Sequence, residues 1–184
     1  MAALIKRAGP VELREPFDDG FAALVRSIMY QQLAGAAAAT IHGRFLKLFE
    51  GPLSPPAVLA LPEGAMRSAG VSGSKAAAIV DLAQKVVDGT VHLQDVESVS
   101  DAELVTRLVQ VRGIGRWTAE MFLMFQLRRM DVWPVDDYGV RKGWALTHKL
   151  KEPLAPRAME AEGDRFRPYR TIAAWYCWRA IDTP

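Results

Sequence analysis

Hydrophobic residues recur at intervals of three and four positions along most of this chain, which is the spacing of amphipathic helices. The first stripe consists of Phe17, Phe21, Leu24, Val25 and Ile28. The sequence has no sustained apolar–polar alternation of the kind that strands show, no heptad pattern and no internal repeat. It therefore predicts an all-α protein.

Prolines, glycines and capping residues divide this pattern into separate helices. Gly70 and Gly89 have the positions of helix C-caps, and Ser74 begins the predicted helix between them. Ser100 and Glu103 have the spacing of a capping box at the start of a further helix. A polar segment rich in Pro, Glu and Arg separates the last two predicted helices. The remaining helices are predicted over 31–49, 116–127, 139–150 and 168–180.

Composition and charge narrow the classes of function. With 184 residues, half of them hydrophobic, the chain can bury one core or two small lobes that share a cleft. No apolar run reaches the roughly 18–20 residues of a membrane helix, and the N-terminus lacks a secretion signal, so we expect an intracellular soluble protein. Residues 101–184 carry fourteen Lys and Arg against eleven Asp and Glu. This excess fits either a face directed at a polyanion or an ordinary solvated surface.

Cysteine and histidine offer no metal site and no nucleophile. Cys177 is the only cysteine, which excludes an intramolecular disulfide, a cysteine-rich zinc site and a four-cysteine iron–sulfur cluster. His42, His92 and His148 have no metal-ligand spacing. These residues therefore point to no cofactor.

The most informative local motif is Gly113-Ile-Gly115, which directly precedes a predicted helix. Because neither glycine has a Cβ, a phosphate can approach the backbone, and the next helix N-terminus supplies free N–H groups and its dipole. Thr118, in the first turn of that helix, adds a hydroxyl. The same spacing also occurs at ordinary corners between helices, so the motif alone leaves both interpretations open.

A pair of adjacent carboxylates, Asp136 and Asp137, follows Pro134 and opens the next predicted helix. N-capping of that helix accounts for one of them. We interpret the other as an anion facing a cleft, where it stabilises positive charge on a deoxyribose or polarises a water molecule.

Tryptophans are concentrated in the basic half of the chain. Trp117 follows the glycine motif, and Trp175 and Trp178 share one helix face at a spacing of three. Tryptophans usually pack in a core. The alternative is an aromatic slot for an extruded base, where a cationic base gains about 0.5–2 kcal/mol per ring from cation–π attraction.

The turn Tyr30-Gln31-Gln32-Leu33 joins two apolar helical segments. Its two glutamines suit the polar start of a helix. They also suit the gap that a flipped base leaves in a duplex, with Leu33 as an apolar wedge.

Together these segments resemble the helix–hairpin–helix DNA glycosylase superfamily, most closely its 3-methyladenine DNA glycosylase II branch. The matching segments fall in order along nearly the whole chain, at 28–35, 67–75, 113–119, 134–142 and 167–179. The resemblance implies a two-lobed helical fold with the active-site cleft between the lobes. One lobe would hold about 36–135, with the hairpin over 100–127, and the other would hold 1–35 and 136–184.

The resemblance also implies roles for individual residues. Asp137 corresponds to the catalytic aspartate, and the carbonyls of Val109, Val111 and Ile114 offer a place for a structural Na⁺ or K⁺ ion, although no metal is required for the reaction. The predicted base pocket consists of Trp117, Trp178, Trp175, Tyr30 and Met121. The predicted DNA contacts are Gly113, Gly115, Thr118, Arg112, Gln31, Gln32 and Leu33.

The implied function is a monofunctional DNA glycosylase of base excision repair. It would flip an alkylated purine of the 3-methyladenine type out of the duplex and hydrolyse its N-glycosidic bond. Strand-cleaving relatives carry a lysine where this chain has Trp117, so no Schiff base and no abasic-site lyase activity are expected.

Two alternatives share these features: a non-catalytic hairpin module that only clamps phosphates, and a glycosylase for oxidised or deaminated bases. We expect damaged double-stranded DNA as the partner, and a monomer with no obligate protein partner and no contact with membranes. The expected location is the bacterial cytoplasm, at the nucleoid, or otherwise a nucleus.

Overall fold

The computed structural model describes residues 2–13, 15–17 and 19–182, and in that part of the chain it contains helices and no strand, which confirms the all-α prediction. No helix among the described residues is long and apolar enough to cross a membrane. A short 3-10 turn, Asp164–Phe166, precedes the last helix. The α-helices are α1 (Ala2–Ala8), α2 (Gly20–Tyr30), α3 (Gly35–Leu46), α4 (Pro55–Leu59), α5 (Ala65–Ser68), α6 (Gly73–Val87), α7 (Asp101–Leu108), α8 (Arg116–Phe125), α9 (Tyr138–His148), α10 (Pro156–Gly163) and α11 (Arg170–Asp182).

The chain divides into two compact units. The central unit is Phe17–Phe122, and the terminal unit consists of Met1–Pro16 and Leu123–Pro184. Two units agree with the two lobes that the resemblance implies. The observed boundaries follow residues 16 and 122, whereas the expected ones followed residues 35 and 135. The first boundary is earlier because α2 packs on α3 and α6 and so belongs to the central unit.

The core of the central unit begins with α2, which buries Leu24, Val25 and Ile28 completely. This helix starts at Gly20 because the carboxylate of Asp19 accepts the N–H of Phe21 at 2.7 Å and caps the helix. The apolar stripe was predicted to start at Phe17, and that extension is wrong, since Phe17 lies exposed before the cap.

Serine caps begin α6 and α7. Ser72 accepts the N–H of Lys75 and begins α6 slightly before the predicted start at Ser74. Ser100 accepts the N–H of Glu103 at 3.2 Å and begins α7 at the predicted capping box. The hairpin thus starts where the sequence places it.

In the terminal unit, α9 packs closely against α11. A Cβ at Gly143 would lie 1.7 Å from the carbonyl oxygen of Cys177, so the two helix backbones touch there. Trp144 is buried edge-on to Trp133 at 6.0 Å and to Phe166 at 5.8 Å. This packing fixes the position of α9, and therefore of the residue that begins it.

The polar segment between α9 and α11, to which the sequence pattern assigns no helix, contains α10. Pro156 stands at the start of α10, where its missing N–H leaves no unmet hydrogen bond. Met159 is buried, and its carbonyl accepts the indole N–H of Trp133 at 2.7 Å. A single buried apolar residue in a polar segment does not produce the recurring apolar positions from which a helix is predicted.

Candidate active site

Asp137 is the residue that begins α9. Its Oδ1 accepts the backbone N–H of Val140 at 2.7 Å, and its side chain is only 9% exposed. A carboxylate at this position interacts favourably with the positive end of the helix dipole. Asp136, by contrast, is exposed. From the sequence, one aspartate is expected to cap α9 and the other to take part in the reaction. In the structure, Asp137 is the candidate for both roles.

A second donor, from α11, holds the same carboxylate oxygen. The indole Nε1 of Trp178 donates to Oδ1 of Asp137 at 2.9 Å. Gly139 makes this approach feasible, because a Cβ there would lie 2.8 Å from Cδ1 of Trp178 and 3.0 Å from Oδ1 of Asp137. Phe125 stacks on the indole of Trp178, with 5.7 Å between the two ring centroids. The carboxylate therefore has a fixed orientation.

The other predicted pocket residues fall into separate environments. Trp175 packs edge-on to Tyr176 at 5.0 Å and lies beside the guanidinium of Arg179. In the central unit, the guanidinium of Arg26 lies 3.9 Å from the centroid of Tyr30. Burial, and then the charge of Arg26, lowers the pKa of the neighbouring His42.

Two further predicted pocket residues lie on α8 in the central unit. Trp117 is 43% exposed and Met121 is half-buried. Their spacing of four places them on one face of α8, which continues to Phe125. Nothing in the sequence distinguished Phe125 from a core residue.

The hairpin between α7 and α8 has the backbone that a phosphate site requires. Gly113 adopts a φ of 78°, which favours glycine, and a Cβ there would lie 3.2 Å from that of Ala78. A Cβ at Gly115 would meet nothing within 4 Å, so the space beside it is open. The exposed side chain of Arg112 and the start of α8 lie next to this space in sequence, whereas Thr118 is buried.

Asp81 of α6 holds the backbone of the hairpin by a hydrogen bond. Its Oδ2 accepts the backbone N–H of Arg112 at 2.7 Å, and Lys85 donates to Oδ1. Burial works against ionisation of Asp81, but these hydrogen bonds and the two positive charges outweigh it and hold its pKa below the usual range. The hairpin is thus anchored by an ionised carboxylate.

The turn after α2 is connected to the same hairpin. The Nε2 of Gln31 donates to the carbonyl of Gly113 at 2.9 Å and to Oγ1 of Thr118 at 3.3 Å. The ammonium of Lys75 donates to the carbonyls of Met29 at 2.7 Å and of Gln31 at 2.8 Å. A pocket of about 260 Å³ opens beside this turn.

The carbonyls of Val109, Val111 and Ile114 are the candidate ligands for the monovalent cation that the resemblance implies. The carbonyl of Val111 accepts the N–H of Ile114 at 3.0 Å, and none of the described hydrogen bonds ends on the carbonyl of Val109 or Ile114. Backbone carbonyls are ligands that suit Na⁺ and K⁺. Elsewhere in the described residues, no group of three or more His, Cys, Asp and Glu side chains is arranged to bind a metal.

Comparison with known proteins gives a consistent result. A family model described as "HhH-GPD superfamily base excision DNA repair protein" matches residues 25–168. DNA-3-methyladenine glycosylase 1 of Schizosaccharomyces pombe is 33% identical over 172 residues, which cover 92% of this chain and 74% of that protein.

Two solved structures are similar over nearly the whole chain. The 3-methyladenine DNA glycosylase of S. pombe in complex with abasic DNA has a TM-score of 0.84 and 31% identity, with 97% of this chain and 89% of that chain covered. A DNA-3-methyladenine glycosidase from Bacillus halodurans has a TM-score of 0.91 and 34% identity, with 99% and 84% covered.

Proposed function

Because the chain belongs to the HhH-GPD superfamily of base excision DNA repair proteins, we propose that it is a DNA glycosylase that excises alkylated purines of the 3-methyladenine type. The observation that carries this proposal is the carboxylate of Asp137, held by two N–H donors at the start of α9. The names of its relatives point to the same substrate class.

The proposed chemistry is hydrolysis of the bond between C1′ and the purine nitrogen. Alkylation at N3 or N7 makes the purine cationic, so it leaves with the bonding electron pair as a neutral base. Asp137 stabilises the oxocarbenium-like sugar that remains, and a water oxygen then bonds to C1′ and gives up a proton. The hydrogen bonds from Val140 and Trp178 fix the anion before the reaction starts, as electrostatic preorganisation requires.

The base pocket in this proposal is aromatic. The proposed base contacts are Trp175 and Trp178 in the terminal unit and Trp117, Tyr30 and Met121 in the central unit. A cationic purine gains about 0.5–2 kcal/mol from each ring face that it meets. A normal, uncharged purine gains less, which supports selection of the alkylated base.

The hairpin is the proposed binding site for the DNA backbone. The first N–H groups of α8, the open backbone at Gly113 and Gly115, and the side chain of Arg112 bind phosphates, with Thr118 at the buried end of the turn. Gln32 and Leu33 supply the wedge that keeps the duplex bent while the lesion is outside the stack.

We propose that the enzyme is monofunctional. Trp117 stands where strand-cleaving relatives have a lysine. The thiol of Cys177 is no substitute nucleophile, because burial raises its pKa to about 12. We also propose that it acts on double-stranded DNA as a monomer without a cofactor other than the hairpin cation, at the nucleoid or in a nucleus.

A panel of duplexes with one lesion each tests this function. We expect 7-methylguanine to be released as the free base from its duplex, with strands that stay intact until alkali is added. Borohydride should trap no protein–DNA adduct, since no Schiff base forms. Excision confined to 8-oxoguanine or uracil would replace this proposal with a glycosylase for oxidised or deaminated bases. DNA binding without any excision would support the alternative of a non-catalytic hairpin module that only binds phosphates.

Replacing Trp178 with phenylalanine should slow excision without weakening DNA binding. Phenylalanine keeps a ring for stacking but removes the N–H that holds Oδ1 of Asp137. A hydrogen bond to a charged group contributes about 1.5–3 kcal/mol, so we expect kcat to fall by about tenfold to a hundredfold with little change in KM. Steady-state kinetics on a 7-methylguanine duplex measures both.

Phe125→Leu is the comparison for that variant, because it removes the stacked ring and leaves the indole hydrogen bond. We expect it to reduce kcat less than Trp178→Phe. Wild-type kcat in Trp178→Phe would show that the indole donor does not position the carboxylate.

A further inference from the structure

We infer that Gln31 is a positioning residue that couples the wedge to the phosphate-binding hairpin, and that its side chain does not itself enter the duplex. The inference rests on the proposed function, which it deepens by separating the members of the turn. Gln32 and Leu33 remain at the DNA, while Gln31 fixes where they stand relative to the gripped phosphate.

The first evidence is where the Gln31 amide is used. Its Nε2 donates both to the carbonyl of Gly113 and to the hydroxyl of Thr118, residues 82 and 87 positions away. An Nε2 group has two N–H donors. Both have partners inside the protein, so a role in the duplex would require them to be given up.

The second evidence is a row of supporting contacts on α6. Lys75, Ala78 and Asp81 follow one another at a spacing of three, which places them along one helix face. Lys75 binds the carbonyls of the turn, Ala78 adjoins Gly113, and Asp81 binds the N–H of Arg112. The turn and the hairpin are therefore fixed to the same helix as well as to each other.

The third evidence is the different state of the next two residues. Gln32 adopts a φ of 53°, in the left-handed region, and both it and Leu33 are exposed, Leu33 by 40%. No described hydrogen bond involves the Gln32 side chain. The side chains of Gln32 and Leu33 are thus exposed on a turn whose backbone is held in place. Gln31 sets the distance of these two side chains from the hairpin.

The test compares Gln31→Met on a paired and an unpaired lesion. Methionine keeps the length of the side chain and removes both donors. Both hydrogen bonds are lost, so single-turnover excision of 7-methylguanine opposite cytosine, a lesion that still forms a base pair, should fall by about tenfold. With the same lesion opposite an abasic analogue, where no pair resists flipping, the fall should be much smaller. Gln94→Met, at an exposed position outside the turn, α6 and the hairpin, is the matched control and should match wild type on both.

A double-mutant cycle with Leu33→Ala identifies the coupling. If Gln31 acts through the wedge, Gln31→Met slows excision when Leu33 is present. In the Leu33→Ala background the same substitution then has no additional effect. An equal loss in both backgrounds, or an equal loss on paired and unpaired lesions, would overturn the inference and indicate general damage to the fold.

A fluorescence measurement tests the coupling without depending on base excision. Wild type should raise the emission of 2-aminopurine placed beside an abasic analogue, because wedge insertion unstacks it, and Gln31→Met should raise it less at saturating protein. If wild type excises nothing, the proposed function fails, and this signal still decides the coupling. Equal emission from both proteins would overturn it.

Discussion

Asp137→Asn should abolish base excision and leave the fold and DNA binding intact. Removing one preorganised electrostatic group costs on the order of a hundredfold to a thousandfold in rate, and a full charge facing an oxocarbenium-like sugar should lie at or above the upper end. Asparagine is as good an N-cap as aspartate, so the start of α9 should be preserved. Its amide oxygen can still accept from Val140 and Trp178.

Single-turnover excision of 7-methylguanine and titration of a fluorescent duplex give the two quantities for this variant. We expect unchanged or slightly tighter binding, because one negative charge near the phosphates is lost. The matched control is Asp136→Asn, which changes the exposed neighbour and should excise at the wild-type rate. Retained turnover in Asp137→Asn, or loss confined to Asp136→Asn, would contradict the assignment.

Gly143→Ala should unfold or strongly destabilise the terminal unit. An added Cβ would lie 1.7 Å from the carbonyl oxygen of Cys177, and a backbone atom in a packed helix pair cannot move aside as a side-chain tip does. We expect the free energy of unfolding to fall by about 3 kcal/mol or more, beyond the usual range for a single methyl group. Urea denaturation followed by tryptophan fluorescence measures the change.

Gly43→Ala is the control for this substitution. Gly43 is an exposed glycine inside α3, and a Cβ there would meet nothing within 4 Å. The same chemical change should therefore stabilise the protein by about 0.5–1 kcal/mol, through helix propensity alone. Equal midpoints for Gly143→Ala and wild type would show that α9 and α11 are not packed as described.

Local signals predicted much of the fold. The cap at Ser100, the glycine turn, the capping of α9 by one of two adjacent aspartates and the helical character of the chain all follow from residues within a few positions of each other. The family resemblance is confirmed by the match over residues 25–168. Such features are predictable because capping and turn conformation depend on neighbouring residues.

Contacts between distant residues could not be predicted in the same way. The amide of Gln31 finds a partner 82 positions away, and Trp178 reaches Asp137 across 41 positions. The sequence allowed Gln31 to be a wedge residue and Trp178 a pocket wall, but tertiary packing alone decides which polar atoms they meet. Likewise, Phe125 continues the α8 face of Met121, a spacing that any core residue shares.

The most direct test of the central claim is a single-turnover incubation of the purified protein with methylated duplex DNA, with the released bases separated and quantified. The account predicts release of 3-methyladenine and 7-methylguanine, with strands that stay intact until alkali is added. Binding of the same DNA with no methylated base released would contradict it.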